Sequence, residues 1–220
     1  MLKVGVLISG RGSNLQALID AAKTPGYPAE VAVVISNKPT AQGLERAKAA
    51  GIPAIVINHR DFSERQEFDA AVDAKLNEYG VQLVCLAGFM RLQTAWFVER
   101  WLDRLINIHP SLLPAFPGMA SDVHRNVIKS GVKFSGCTVH LVRAGMDDGP
   151  IIIQAAVPVH QDDTEDTLAA RILESEHKIY PFAVRLIAEG SVNVHNERVF
   201  IADAKPPAVA LLNPEGAEKL

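Results

Sequence analysis

The chain has 220 residues, 48% of them hydrophobic and 21% charged, with a formal net charge of −3. That length and apolar content suffice for one domain with a substantial core, and the mild charge, with no block of Lys or Arg, offers no footing for nucleic acid. No apolar run reaches the length of a membrane span and the N-terminus reads as a strand rather than a signal peptide, so a soluble cytoplasmic protein without a membrane partner is expected.

Residues 2–9, apolar between Lys3 and Ser9, predict a buried first strand. Leu15, Leu18, Ile19 and Ala22 set a helical period over 14–23. A β-branched strand over 31–35 runs into the turn residues Asn37, Lys38 and Pro39. A helix over 43–50 stops at Gly51, and a short strand covers 54–57. A long amphipathic helix over 63–79 ends at Gly80, which suits the left-handed backbone that closes helices. Strands follow over 81–87 and 105–108. Trp96 and Trp101 flank a short helix between them and are both expected to pack against the core. Cys85 and Cys137 lie in apolar, strand-like surroundings without zinc-ligand spacing and read as buried free thiols.

The pattern then changes. Residues 136–142 and 151–157 predict an antiparallel pair, 164–189 a helical stretch interrupted at Tyr180-Pro181, and 191–195 with 198–202 a closing hairpin. In the first part, up to residue 108, strand and helix alternate and the strands are continuously rather than alternately apolar. This specifies an α/β fold of three layers: a mostly parallel twisted sheet with helices on both faces and antiparallel elements in the C-terminal part. Residues 1–203 read as a single domain, and 204–220, rich in Ala and Pro, as a flexible tail.

The first strand and first helix are joined by Ser9-Gly10-Arg11-Gly12-Ser13-Asn14-Leu15. Successive backbone N–H groups at a helix N-terminus form an anion site, and glycines let a ligand approach. Ser13 and Asn14 can add side-chain hydrogen bonds and cap the helix. A dinucleotide fingerprint needs glycine where Leu15 stands and an acid where Ser36 and Asn37 stand, and a triphosphate loop needs a Gly-Lys-Ser/Thr ending. A single phosphate monoester fits better; a plain tight turn is the alternative.

The run Asn107-Ile108-His109-Pro110-Ser111-Leu112-Leu113-Pro114 places an amide and an imidazole two residues apart, on one side of a strand end. Asp147, in Met146-Asp147-Asp148-Gly149-Pro150, offers a carboxylate on another loop. If an amine attacks an acyl carbon, Asn107 can donate to the oxyanion, His109 as imidazolium can add a second donor, and Asp147 can take the proton. No metal and no covalent nucleophile is needed. Asp148 stays open as the alternative to Asp147.

These motifs resemble the phosphoribosylglycinamide formyltransferases, folate-dependent enzymes of purine biosynthesis. The resemblance covers residues 1–203 and adds Leu86-Ala87-Gly88-Phe89-Met90-Arg91, Phe116-Pro117-Gly118, Gly136-Cys137-Thr138-Val139-His140 and Glu176-His177-x-x-Tyr180-Pro181. It implies a Rossmann-like formyltransferase fold. It also implies formyl transfer from 10-formyltetrahydrofolate to the amine of glycinamide ribonucleotide. The nucleotide's phosphate is assigned to Gly12, Ser13 and Asn14, with Glu176 as a further nucleotide contact and Asn107, His109 and Asp147 in catalysis. Arg65, Met90, Arg91 and Leu92 are assigned to the folate pocket, with Val142, Arg143, Ala144, Gly145 and Met146 closing over the pterin. The N-terminal half would bind the nucleotide's phosphate and the C-terminal half the folate. The protein is expected as a monomer or homodimer. The 119–124 segment is about two residues longer than in many members, at a flap beside the site.

His140 reads either as a supporting residue beside the site or as packing, and His124 as facing the ligand or capping a helix. His59, His160, His177 and His195 read as surface or structural residues. Four groups, His109, His124, His140 and Asp147, could converge on a metal, but no dense ligand motif supports it and none is expected. Three other activities compete. A methionyl-tRNA formyltransferase shares the Asn-x-His and Ser-Leu-Leu-Pro elements but carries a tRNA-binding domain and a basic, Trp-containing loop where Pro117-Gly118 stands. A formyltetrahydrofolate hydrolase shares the trio but usually begins with a regulatory domain. A non-catalytic nucleotide sensor need not keep the trio.

Overall fold

The computed structural model describes residues 1–214. Its first part alternates strand and helix: β1 (Leu2–Ile8), α1 (Ser13–Ala22), β2 (Ala29–Ser36), α2 (Gly43–Ala49), β3 (Ala54–Val56), α3 (Arg65–Glu78), β4 (Leu83–Leu86), α4 (Ala95–Arg100) and β5 (Leu105–His109). There follow α5 (Ala120–Ser130), β6 (Phe134–Leu141), β7 (Ile151–Pro158), α6 (Glu165–Ala188), β8 (Val192–His195) and β9 (Arg198–Ile201). Seven strands form one sheet in the order β3-β2-β1-β4-β5-β6-β7. The first five run parallel, and β6 and β7 turn the far edge antiparallel. The hairpin β8–β9 stands apart as its own two-stranded sheet.

The core lies on both faces of the sheet, which is why β4, and β1 from Val4 onward, are apolar at successive rather than alternate positions. On one face Leu15, Leu18, Leu44, Val123, Ile172 and Tyr180 bring α1, α2, α5 and α6 onto the strands. On the other, Phe68, Val72, Leu76, Phe97 and Trp101 seat α3 and α4. Cys85 and Cys137 are free and buried, and burial pushes both thiols up to about 12.

Three expectations need correction. Helix α6 is not interrupted: it runs through Pro181 for 24 residues. A proline inside a helix costs about 3 kcal/mol, but Ile179 and Tyr180 before it and Val184 and Leu186 beyond it are buried, and each large side chain contributes about 1.5–3 kcal/mol. The Tyr180 hydroxyl also donates to Leu86 O at 2.9 Å, pinning the helix to the sheet. Trp101 packs as expected and its indole donates to Asp73 at 2.9 Å, but Trp96 lies at the surface with Arg100 above its ring. The third is α5, an amphipathic helix in a segment read only as a flap. Its apolar stripe is Val123, Val127 and the partly buried Ile128, a short period whose start no side-chain cap marks.

Candidate active site

Because β2 and β3 lie on one side of β1 and β4 lies on the other, the loops leaving β1 and β4 diverge. A crevice opens at the carboxyl ends of those strands, the usual place for a ligand in such a sheet. Ser9 ends β1 at this point. Its hydroxyl donates to Asn37 Oδ1 at 2.6 Å and accepts from Met90 N–H at 2.8 Å. One buried side chain thereby ties together the loops that follow three strands.

The glycine loop is braced from α2. Gly43 N–H donates to Gly10 O at 3.0 Å, and Arg46 Nε donates to Arg11 O at 2.9 Å. In a trans peptide the N–H points away from the C=O, so holding those two carbonyls aims the N–H groups of Arg11 and Gly12 to the opposite side. Gly12 takes φ 72°, and a Cβ on it would come within 2.7 Å of Gly43 Cα. The capping expected of Ser13 and Asn14 does not occur: Gly12 is the cap residue and no side chain satisfies the first turn. Those N–H groups remain available to an anion. Asn14 instead donates its amide to Glu176 Oε2 at 2.6 Å, leaving its own Oδ1 buried without a partner. Burial pushes the Glu176 carboxyl up, while the Asn14 hydrogen bond and the charge of His109 pull it down. The two halves of the site therefore lie within electrostatic reach of each other.

Strand β5 presents Asn107 and His109 on one face. His109 Nδ1 lies 3.4 Å from Asp147 Oδ1, and Nε2 lies 3.0 Å from Phe116 O. Both ring nitrogens thus face oxygen acceptors. Asp147 Oδ2 accepts Gly118 N–H at 2.7 Å. Burial alone would push the Asp147 carboxyl up. The hydrogen bonds from His109 and Gly118, with the nearby His109 charge, outweigh that and hold it below the ordinary carboxylate range. The neighbouring Asp148 is exposed and accepts its own Gly149 N–H at 2.9 Å, so Asp147 is the acid that meets the imidazole.

His140 supports this group. Its Nδ1 sits 3.1 Å from Leu141 O and so carries the proton, which leaves Nε2 to accept the Asn107 amide at 3.2 Å. Burial pushes its pKa down and keeps the ring neutral. The backbone carbonyl of Leu141 thus fixes which end of the Asn107 amide faces the ring, and one amide N–H is left for the cleft. Ser111 and Thr138 shape the turn after His109: Ser111 donates to Ala115 O at 2.6 Å and Thr138 to Ser111 O at 2.7 Å. Sequence reasoning assigned no role to Ser9, Gly43, Arg46, Ser111 or Thr138; spacing alone carries no sign of hydrogen bonds between distant loops. His124 lies inside α5 rather than at its cap, with Nδ1 buried and unpartnered.

Asn107, His109, His140 and Asp147 line a cleft of about 440 Å³. Arg65, Met90, Arg91, Leu92, Val142, Arg143, Ala144, Gly145 and Met146 form its other walls. Met90, Leu92 and Met146 are each about half exposed there, an apolar rim rare on a surface without a ligand. A larger, more open depression of about 580 Å³ lies outside the glycine loop, along Ser13, Gln16, Arg46 and His177, away from the trio. Among the described residues no group of three or more His, Cys, Asp or Glu is placed to hold a metal, and no helix is long and apolar enough to cross a membrane.

The model of the formyl transferase family matches residues 2–184. Over 206 residues the chain is 41% identical to phosphoribosylglycinamide formyltransferase of Escherichia coli, covering 94% of this chain and 96% of that protein. It is 50% identical to part of the trifunctional purine biosynthetic protein adenosine-3 of Homo sapiens, over 87% of this chain, but spans only 19% of that protein's length. The solved structure of glycinamide ribonucleotide transformylase 1 from Symbiobacterium toebii superposes with a TM-score of 0.89 at 51% identity, over 92% of this chain and 95% of that one.

Proposed function

The chain belongs to the formyl transferase family, and from that premise we propose that it moves the formyl group of 10-formyltetrahydrofolate to the amine of glycinamide ribonucleotide. The products are N-formylglycinamide ribonucleotide and tetrahydrofolate, a step of cytoplasmic purine biosynthesis. The observation that carries this reading is the meeting of Asn107 and His109 on strand β5 with Asp147 on the loop after β6, beside an uncapped helix start that suits a phosphate.

The phosphate rests on the N–H groups of Gly12, Ser13 and Asn14. Asn14 Oδ1 and Glu176 hold the body of the nucleotide and point its amine at the formyl carbon. As the amine attacks, charge develops on the formyl oxygen. The free N–H of Asn107 donates to it, and the His109 charge lowers its energy in a site shielded from water. Asp147, ionised through the neutral range, takes the proton that the nitrogen sheds. Collapse of the tetrahedral intermediate breaks the bond from carbon to N10 of the folate. N10 leaves with a proton, so the amine's lost proton balances the one gained by tetrahydrofolate. Met90, Leu92, Val142 and Met146 flank the flat pterin, Ala144 and Gly145 close over it, and Arg65 and Arg91 offer cations to an anionic glutamate tail. Arg143 contributes its stem to the wall. Residues 1–203 act as one unit, with the phosphate held by the first half and the folate by the second.

The test is an absorbance assay of folate release from a 10-formylfolate donor, with and without glycinamide ribonucleotide. Release that depends strictly on the nucleotide is expected. Release in its absence would identify a hydrolase, and no release under either condition would remove the catalytic reading.

A further inference from the structure

Arg143 follows β6 at the start of the loop that carries Asp147. Its guanidinium is paired twice. Nη2 donates to Asp103 Oδ1 at 2.8 Å and Nε to Glu197 Oε2 at 2.7 Å. The Arg143 side chain is only 15% exposed although both acids lie at the surface. The acids come from elements distant in sequence: Asp103 from the turn between α4 and β5, Glu197 from the turn of the β8–β9 hairpin. Asp103, Asn196 and Glu197 all hold positive φ, between 49° and 56°, so both carboxylates project from tight, defined turns.

Arg143 also braces the loop itself. Its N–H donates to Asp148 O at 3.2 Å. A Cβ on Gly149 would meet Arg143 Cγ at 3.0 Å and Leu141 O at 2.1 Å, so the far side of the loop lies flush against the arginine stem. Between these points Ala144, Gly145 and Met146 are exposed and give the loop little packing. Asp147 itself takes φ 48°, a conformation that a non-glycine residue keeps only when its surroundings impose it.

We propose that Arg143 is a positioning residue: by bridging Asp103 and Glu197 it holds the 143–149 loop so that the Asp147 carboxylate faces His109, and the β8–β9 hairpin is thereby a remote part of the catalytic apparatus. This rests on the reading of Asp147 as the proton acceptor. The titratable and charged groups around that carboxylate are His109 from β5, His140 from β6, and Arg143 and Asp148 on its own loop. A loosened loop weakens the His109 and Gly118 hydrogen bonds, so the Asp147 pKa rises toward the ordinary carboxylate value.

The test compares kcat against pH for the wild type, Arg143→Met, Arg143→Lys and Glu197→Gln, with Asp147→Asn as control. Arg143→Met is expected to lower kcat by about 10- to 100-fold, the scale of a small misplacement of a catalytic group. Its acid limb should move to higher pH, with the nucleotide KM unchanged. Glu197→Gln, a surface change that leaves the core intact, should shift the limb in the same direction by less. Arg143→Lys, which keeps a cation between the two acids, should retain more of kcat than Arg143→Met and shift the limb by less. A wild-type acid limb in Arg143→Met would overturn the proposal, whether kcat falls or not. So would a rise in folate KM alone, which would make Arg143 a folate contact. Full turnover by Asp147→Asn would remove the underlying reading and this proposal with it, whereas an inactive Asp147→Asn beside an unchanged Arg143→Met would remove the proposal only.

Discussion

Replacing Asp147 by Asn keeps the size of the side chain and removes its charge. The wild-type carboxylate is 13% exposed, accepts Gly118 N–H at 2.7 Å and faces His109 Nδ1 at 3.4 Å. Asn has one acceptor oxygen and can serve one of these donors, while its amide hydrogens confront the other. Loss of positioned proton transfer costs about 10²–10⁴ in rate, which is roughly 3–5 kcal/mol of barrier. The proton moves only as the bond forms, so kcat should fall by that factor while both KM values stay near wild type. Stability should change little. The amide is easier to bury than the carboxylate, which offsets the loss of charge-assisted hydrogen bonds worth about 1.5–3 kcal/mol each. The pH dependence has a definite sign. The folded carboxyl is held below its ordinary value, so its contribution to stability is fully present above the unfolded value of about 3.9 and is lost as pH falls through the lower folded one. Activity of the wild type should decline over that same acidic window, and the variant's residual activity should lack this limb. Folate-release rates at saturating substrates across a pH series, with thermal melts in parallel, measure both. Turnover within about tenfold of wild type, below the range for a lost acid–base group, or an acid limb retained in the variant, would refute the role given to Asp147.

Three further outcomes are expected. Asn107→Ala removes the one amide donor free for the oxyanion, and kcat should drop by about 10²–10³ without a matching rise in KM, read in the same assay. Gly12→Ala places a Cβ 2.7 Å from Gly43 Cα at φ 72°. The nucleotide KM should rise at least about tenfold, for a lost phosphate interaction of about 1.4 kcal/mol or more, with the folate KM unmoved; equal rises in both would contradict a phosphate site there. Trp101→Phe deprives the buried Asp73 of its indole donor at 2.9 Å. The melting temperature should fall by about 2–10 °C, for a loss of about 1–3 kcal/mol, with kcat unchanged, as differential scanning calorimetry and the assay would show.

The central parallel strands are legible because each holds a run of consecutive apolar residues bounded by turn residues, so their predicted ends differ from the observed ones by a residue or two. Leu2–Ile8 stops one residue early because Ser9 leaves the strand to bond Asn37 and Met90. Helix α5 has a helical apolar stripe in Val123, Val127 and Ile128, but the stripe is short and no side-chain cap marks the helix start. Pro181 misled for the opposite reason: a strong local signal for interruption was overruled by packing that local reasoning does not see. In the site, the two-residue spacing of Asn107 and His109 needs nothing beyond strand geometry to put them on one face. The preference for Asp147 over Asp148, read from the spacing to Gly149-Pro150, has its physical basis in the loop: Asp147 is turned inward to His109 and Asp148 outward to Gly149.

Chain order and apolar patterning by themselves determined a three-layer α/β sheet, a glycine loop at a helix start, and an amide–imidazole pair at a strand end, because all of these depend on neighbours along the chain. Tertiary structure alone decided what those groups do to one another. It turned the glycine loop's carbonyls onto α2, spent Asn14 on Glu176, committed both ring nitrogens of His109, and oriented the Asn107 amide through His140. It also joined Asp103 to Glu197 through Arg143, 94 residues apart in the chain by their numbering. Hydrogen bonds and charge pairs act over a few ångströms, and only the folded sheet brings such distant positions that close.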